Sequence, residues 1–109
     1  MLWLLLAAGP AAAQIQCPAV HLGAPLTSVS VFDGPPSEQA DLVPDTSHRR
    51  KAGSRSSWDV GYLYQAGRKV FVACRYGPRG APVTISSATA LHACVYVEAS
   101  GGRRSLACR

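Results

Sequence analysis

Four cysteines are the residues best placed to do chemistry: Cys17, Cys74, Cys94 and Cys108. Their separations of 57, 20 and 14 residues include no C-x-x-C and no nearby histidine pair, so zinc-ligand spacing is missing. In a small exported chain an even count reads instead as two disulfides, with three pairings open. The stretch Ala93-Cys94-Val95-Tyr96-Val97 has strand character, Ser100-Gly101-Gly102 is a turn, and Ser105 to Arg109 can return. Position 101 is midway between Cys94 and Cys108, so a symmetric hairpin sets them opposite each other, about 4.5 to 5.5 Å apart at Cα. The rival Cys74–Cys94 pairing has its midpoint at Thr84, inside the strand-like Val83-Thr84-Ile85-Ser86. The spacing therefore favours Cys94–Cys108 and, by elimination, Cys17–Cys74.

Other reactive side chains form no recognisable machinery. His21, His48 and His92 are far apart, without a carboxylate at useful spacing for a catalytic base or metal site. Gly-x-Ser-x-Gly is absent, and the carboxylates give no paired acid–base signature. We therefore expect no enzymatic activity, no cofactor and no metal.

Charge is the second chemical feature. Eleven Lys and Arg against six Asp and Glu give a formal +5, unevenly placed. Asp33 to Asp45 holds four acids and no base, whereas His48 onward holds all eleven bases and two acids. The cluster Arg49, Arg50, Lys51 and Arg55 is a candidate anion-binding site, or else a solvated loop. No aromatic residue interrupts it before Trp58, so base stacking lacks support and nucleic acid is an unlikely partner. The acidic Asp33-Gly34-Pro35-Pro36 segment is stiffened by its prolines and loses little entropy on docking. Asp33, Pro35, Pro36 and Asp41 are thus partner-binding candidates, together with Trp58 from an aromatic stripe of Trp58, Tyr62, Tyr64 and Tyr76. The alternative for that stripe is core packing.

These residues need elements to position them. Leu26 to Phe32 reads as a strand, stopped by Gly34 and two prolines. Ser37 to Leu42 reads as a short helix capped by Ser37, with Pro44 ending it. Residues 46–57 are polar, basic and aperiodic, and are expected to form a flexible loop. Trp58, Val60, Tyr62 and Tyr64 alternate, Gln65 to Arg68 turns, and Val70, Val72, Cys74 and Tyr76 alternate again, predicting a β-hairpin. Val83 and Ile85 mark a further strand, and the Cys94 hairpin closes the chain. The predicted fold is all-β and mainly antiparallel: a small meander sandwich or half-open barrel of about six short strands, at most one short helix and two disulfides.

With 109 residues, 48% of them apolar, the chain has one domain's worth of core and too much apolar content for a disordered tail. Residues 1–13 resemble a secretory signal peptide: Leu2 to Ala8 is apolar, Gly9-Pro10 breaks it, and Ala11-Ala12-Ala13 offers small residues for cleavage after Ala13. The run is too short to span a membrane. Residues 14–109 would then form a single disulfide-linked domain, periplasmic or secreted, without a stable membrane span.

The order Cys17-Pro18, Val31-Phe32-Asp33-Gly34-Pro35-Pro36, Asp41-Leu42-Val43-Pro44-Asp45, Trp58, Cys74-Arg75-Tyr76 and two late cysteines resembles a family of small exported proteins of Gram-negative bacteria. The resemblance covers nearly the whole chain after residue 13 and implies no activity and no site residues. The expected function is that of a non-enzymatic accessory or binding protein whose partner is another envelope protein or polymer. Two alternatives stay open: an inhibitor or immunity-type protein against an envelope hydrolase, or a phosphate- or anion-binding protein using the basic segment.

Overall fold

In the computed structural model, which describes residues 13–78 and 80–109, the strands are β1 (Ile15–Gln16), β2 (Val20–His21), β3 (Ala24–Asp33), β4 (Thr46–Arg50), β5 (Gly53–Asp59), β6 (Val70–Tyr76), β7 (Val83–Ser86), β8 (Ala93–Ala99) and β9 (Arg104–Cys108). Apart from Ala13, the predicted signal peptide lies outside the described residues. All pairings are antiparallel. One sheet has the order β1-β9-β8-β5-β4 and the other β2-β3-β6-β7. The protein is thus an all-β sandwich in which local hairpins are joined by crossovers between sheets, rather than a simple meander.

Alternation places the core where the sheets face each other. Val31, Val70, Val72, Cys74 and Tyr76 from one sheet meet Ile15, Trp58, Cys94, Leu106 and Cys108 from the other. Most of these are almost wholly excluded from water, and each buried aliphatic side chain contributes about 1.5–3 kcal/mol. Both expected disulfides are present. Cys94 and Cys108 are direct cross-strand partners with Cα atoms 4.0 Å apart, and Cys17–Cys74 links the start of the domain to β6. On the chain-entropy model each contributes about 3–4 kcal/mol.

Three local expectations are corrected. The segment 46–57 is not an irregular loop: β4 pairs with β5 from Thr46↔Ser57 to Arg50↔Gly53. Hydroxyl pairs Thr46–Ser57 and Ser47–Ser56 join the strands, and such cross-strand pairs stabilise a sheet without apolar residues. All five β4 residues are exposed, so this strand has no hydrophobic period to display.

The predicted Trp58–Tyr64 strand stops at Asp59, and α1 (Gly61–Gln65) follows. Val60 and Leu63 are both buried, and Tyr64 packs beside the core. Spacings of three and four suit a helix as well as the i, i+2 pattern suits a strand. The expected partner strands therefore part company: β5 pairs with β8, and β6 with β3.

The predicted helix over 37–42 shrinks to a single 3-10 turn at Pro36–Glu38 without a side-chain cap. Beyond it the chain runs extended beside β3. The Leu42 amide donates to the Val31 carbonyl at 2.8 Å, and Asp33 to the Ala40 carbonyl at 3.0 Å. These two bonds flank the Phe32↔Asp41 bridge and hold the segment in the extended form.

Candidate functional site

The acidic segment commits most of its carboxylates to partners within the chain. Arg68 Nε donates to Asp33 Oδ1 at 2.8 Å, its Nη2 reaches the Asp33 carbonyl oxygen at 3.3 Å, and Nη2 also bonds Glu38 Oε1. Hydrogen bonds to Asp33 and then to Glu38 hold the guanidinium charged even more firmly than usual. Asp45 Oδ2 accepts the Asp59 amide at 2.6 Å. Trp58 is a correction: it is a core residue, only 6% exposed, and its indole N–H donates to the Leu42 carbonyl at 3.0 Å. It anchors the acidic segment instead of presenting a platform. Pro35 and Asp41 are exposed and Pro36 is half-buried.

The aromatic stripe is likewise dispersed. Tyr62 stands 55% exposed on α1, and Tyr64 donates to the Ser87 carbonyl at 3.0 Å. Tyr76 is buried in the other sheet, where its hydroxyl donates to the Pro18 carbonyl at 2.5 Å and burial pushes its pKa upward. His21 stacks at a tilt on Tyr76, with ring centroids 5.3 Å apart. His48 lies on β4 and His92 precedes β8, so the three histidines do not converge. Among the described residues no group of three metal-ligating side chains occurs.

The basic segment behaves in the opposite way. The β4–β5 register puts His48 opposite Arg55, Arg49 opposite Ser54 and Arg50 opposite Gly53, with Lys51 in the turn. All four predicted anion-binding residues are exposed. No carboxylate among the described residues comes within 4.0 Å of any of them. The Ser100 amide donates to the Ala52 carbonyl at 3.0 Å, drawing the β8–β9 turn against the β4–β5 turn. That contact adds exposed Arg103 to the same end of the sheet. Sequence reasoning missed Arg103: the β8–β9 turn was legible, but its neighbour was read as a loop.

Behind the hairpin, Glu98 is already engaged. Tyr96 donates to Glu98 Oε1 at 3.0 Å, and Arg104 Nε lies 3.6 Å from the same oxygen. Burial, followed by the Glu98 contact, pushes the Tyr96 hydroxyl up to about 12. Asp45 and Asp59 sit at the far end of the hairpin from Arg50 and Lys51, separated by about 20 Å of strand. Along the hairpin, Asp45 and Asp59 thus mark one end and Arg50 and Lys51 the other.

Several depressions flank the hairpin. One, of about 370 Å³, is lined by His48, Arg50, Arg55 and Val97 among others. Another, of about 310 Å³, lies between the sheets and includes Ser30, Asp41, Trp58 and Tyr96. Ser54 and Glu98 also line the first, but among the described residues no hydrogen bond links His48 to either, and Glu98 is taken up by Tyr96. The arrangement can bind, and the cationic end is chemically complementary to carboxylates or phosphates.

No curated protein and no solved structure matches the chain. A family model described as type VI secretion system Tli immunity protein matches residues 19–109. The match spans the segments Val31–Pro36, Asp41–Asp45, Trp58 and Cys74–Tyr76 together with the last two cysteines, while Cys17 lies just before it. It replaces the expectation of a family without an implied role, since the family is one of immunity proteins. The chain belongs to the Tli family of type VI secretion system immunity proteins.

Proposed function

We propose that this protein protects its host by binding a type VI effector in the periplasm and holding it inactive. The observation that carries the reading is the family match, which takes in almost the entire sandwich instead of one short motif. Two disulfides fit an oxidising compartment. The apolar Leu2–Ala8 run and the small residues before Gln14 fit export. Sheet bonding also begins at Gln14, whose amide donates to the Cys108 carbonyl at 2.8 Å. Cleavage after Ala13 would leave that strand intact.

The reading is inhibition by occupation: the surface covers the effector and performs no chemistry on it. A core stapled by two disulfides keeps its surface ordered before contact, which lowers the entropic cost of docking. The generic accessory-protein expectation thus narrows to its inhibitor or immunity alternative, with an envelope-directed hydrolase as the proposed target.

The test directs each type VI effector of the parent strain to the periplasm of a heterologous host, with and without this protein. One effector should become non-toxic only when the protein is exported, and purified samples of the two should form a complex. Toxicity unchanged across the whole set, or protection by the form retained in the cytosol alone, would overturn the proposal.

A further inference from the structure

The β4–β5 hairpin carries more positive charge than its position in the fold requires. A cationic edge strand guards against edge-to-edge pairing, and Arg49 and Arg50 on β4 meet that need. Arg55 lies on the interior strand β5, whereas Lys51 and Arg103 lie on turns. Edge protection leaves those three unexplained. Like charges gathered without counter-charges oppose the compact state, and an anionic partner would relieve that cost.

The outward side of the sheet has a floor as well as a cationic rim. Cross-strand register runs His48↔Arg55↔Val97 and, one step along, Arg50↔Gly53↔Ala99. Val97 and Ala99 are half-buried, with no second layer packed over this face by the described elements. The resulting depression of about 370 Å³ has Val97 in its lining beside Arg50, Arg55 and His48; Glu98 also borders it, with its carboxylate taken up by Tyr96 and Arg104.

We propose that this floor and rim form the docking site for the effector, and that they receive an acidic protein loop. Carboxylates of the loop engage the guanidinium forks of Arg50 and Arg55, while a small apolar side chain covers Val97. Lys51 and Arg103 lie at the approach and steer the encounter. A phosphate polymer or a membrane would satisfy the rim and leave the apolar floor empty, which is why a protein loop fits better. The inference rests on the immunity reading above and adds to it a surface and a partner chemistry.

The test uses the full, oxidised protein and the effector singled out by the protection assay, with association followed at low and at high ionic strength. Poly-glutamate serves as a soluble competitor, and phosphatidylglycerol vesicles as the alternative ligand. The double variant Arg50→Glu/Arg55→Glu should associate at least about tenfold more slowly at low salt, with an unchanged unfolding midpoint. Val97→Asp should dissociate faster, and poly-glutamate should slow association of the unaltered protein. Equal kinetics for both variants, or vesicles that displace the effector, would overturn the docking inference while leaving immunity intact. No complex with the unaltered protein would instead remove the immunity reading, and this inference with it.

Discussion

Two neighbouring stretches of chain, 33–45 and 46–57, carry opposite charge and use it in opposite ways. In the first, Asp33 and Glu38 clasp Arg68, Asp45 caps the Asp59 amide, and Trp58 pins Leu42 from below. In the second, Arg49, Arg50, Lys51 and Arg55 project from a two-stranded extension without a counter-ion among the described residues. Charge with an internal partner holds the fold together. Charge without one is available to another molecule.

The contrast can be broken from either side. Trp58→Ala has the largest expected effect, because it removes a buried aromatic and releases the acidic segment at once. Chemical denaturation should register a loss of about 3–5 kcal/mol, and protease cutting should appear within 34–45. Gly53→Ala comes next. Gly53 has φ +126, and a Cβ there would collide with the Glu98 carbonyl oxygen on β8. The hairpin should detach locally, costing about 1–3 kcal/mol, with faster amide exchange in β4 and little change in β6.

Arg68→Ala should cost less than either, since its ion pairs are partly solvated. The same change should make stability less sensitive to salt. The last effect appears only in alkali and belongs to Tyr96, whose hydroxyl is pushed up to about 12 from the ordinary 10.0. Between those values the folded state keeps a proton that the unfolded state has lost, so stability is intact below pH 10.0 and declines as pH rises toward 12. Ultraviolet titration should find a tyrosine that ionises near 12 and that Tyr96→Phe removes.

Much of the architecture was legible before the structure. The midpoint argument placed Cys94 opposite Cys108, and strong β-branched alternation located β3, β6, β7 and β8. The hairpin at 46–59 was not legible, because it is held by serine and threonine pairs and by its neighbour β8, neither of which leaves an apolar period. Helix α1 was hidden by an ambiguity of spacing: Trp58, Val60, Tyr62 and Tyr64 alternate perfectly, yet Val60 and Leu63 are what the core takes in. The candidate site was half visible. Its arginines stood out as a run, whereas Val97 and Arg103 joined them only through the pairing of β5 with β8 and the contact between two turns.

The most direct test replaces Arg49, Arg50, Lys51 and Arg55 together with glutamine, then measures unfolding free energy and effector affinity on the same sample. Stability should stay within about 0.5 kcal/mol of the unaltered protein, while binding is abolished. A variant that loses stability yet still binds the effector would show that these side chains serve the fold, and would contradict the account.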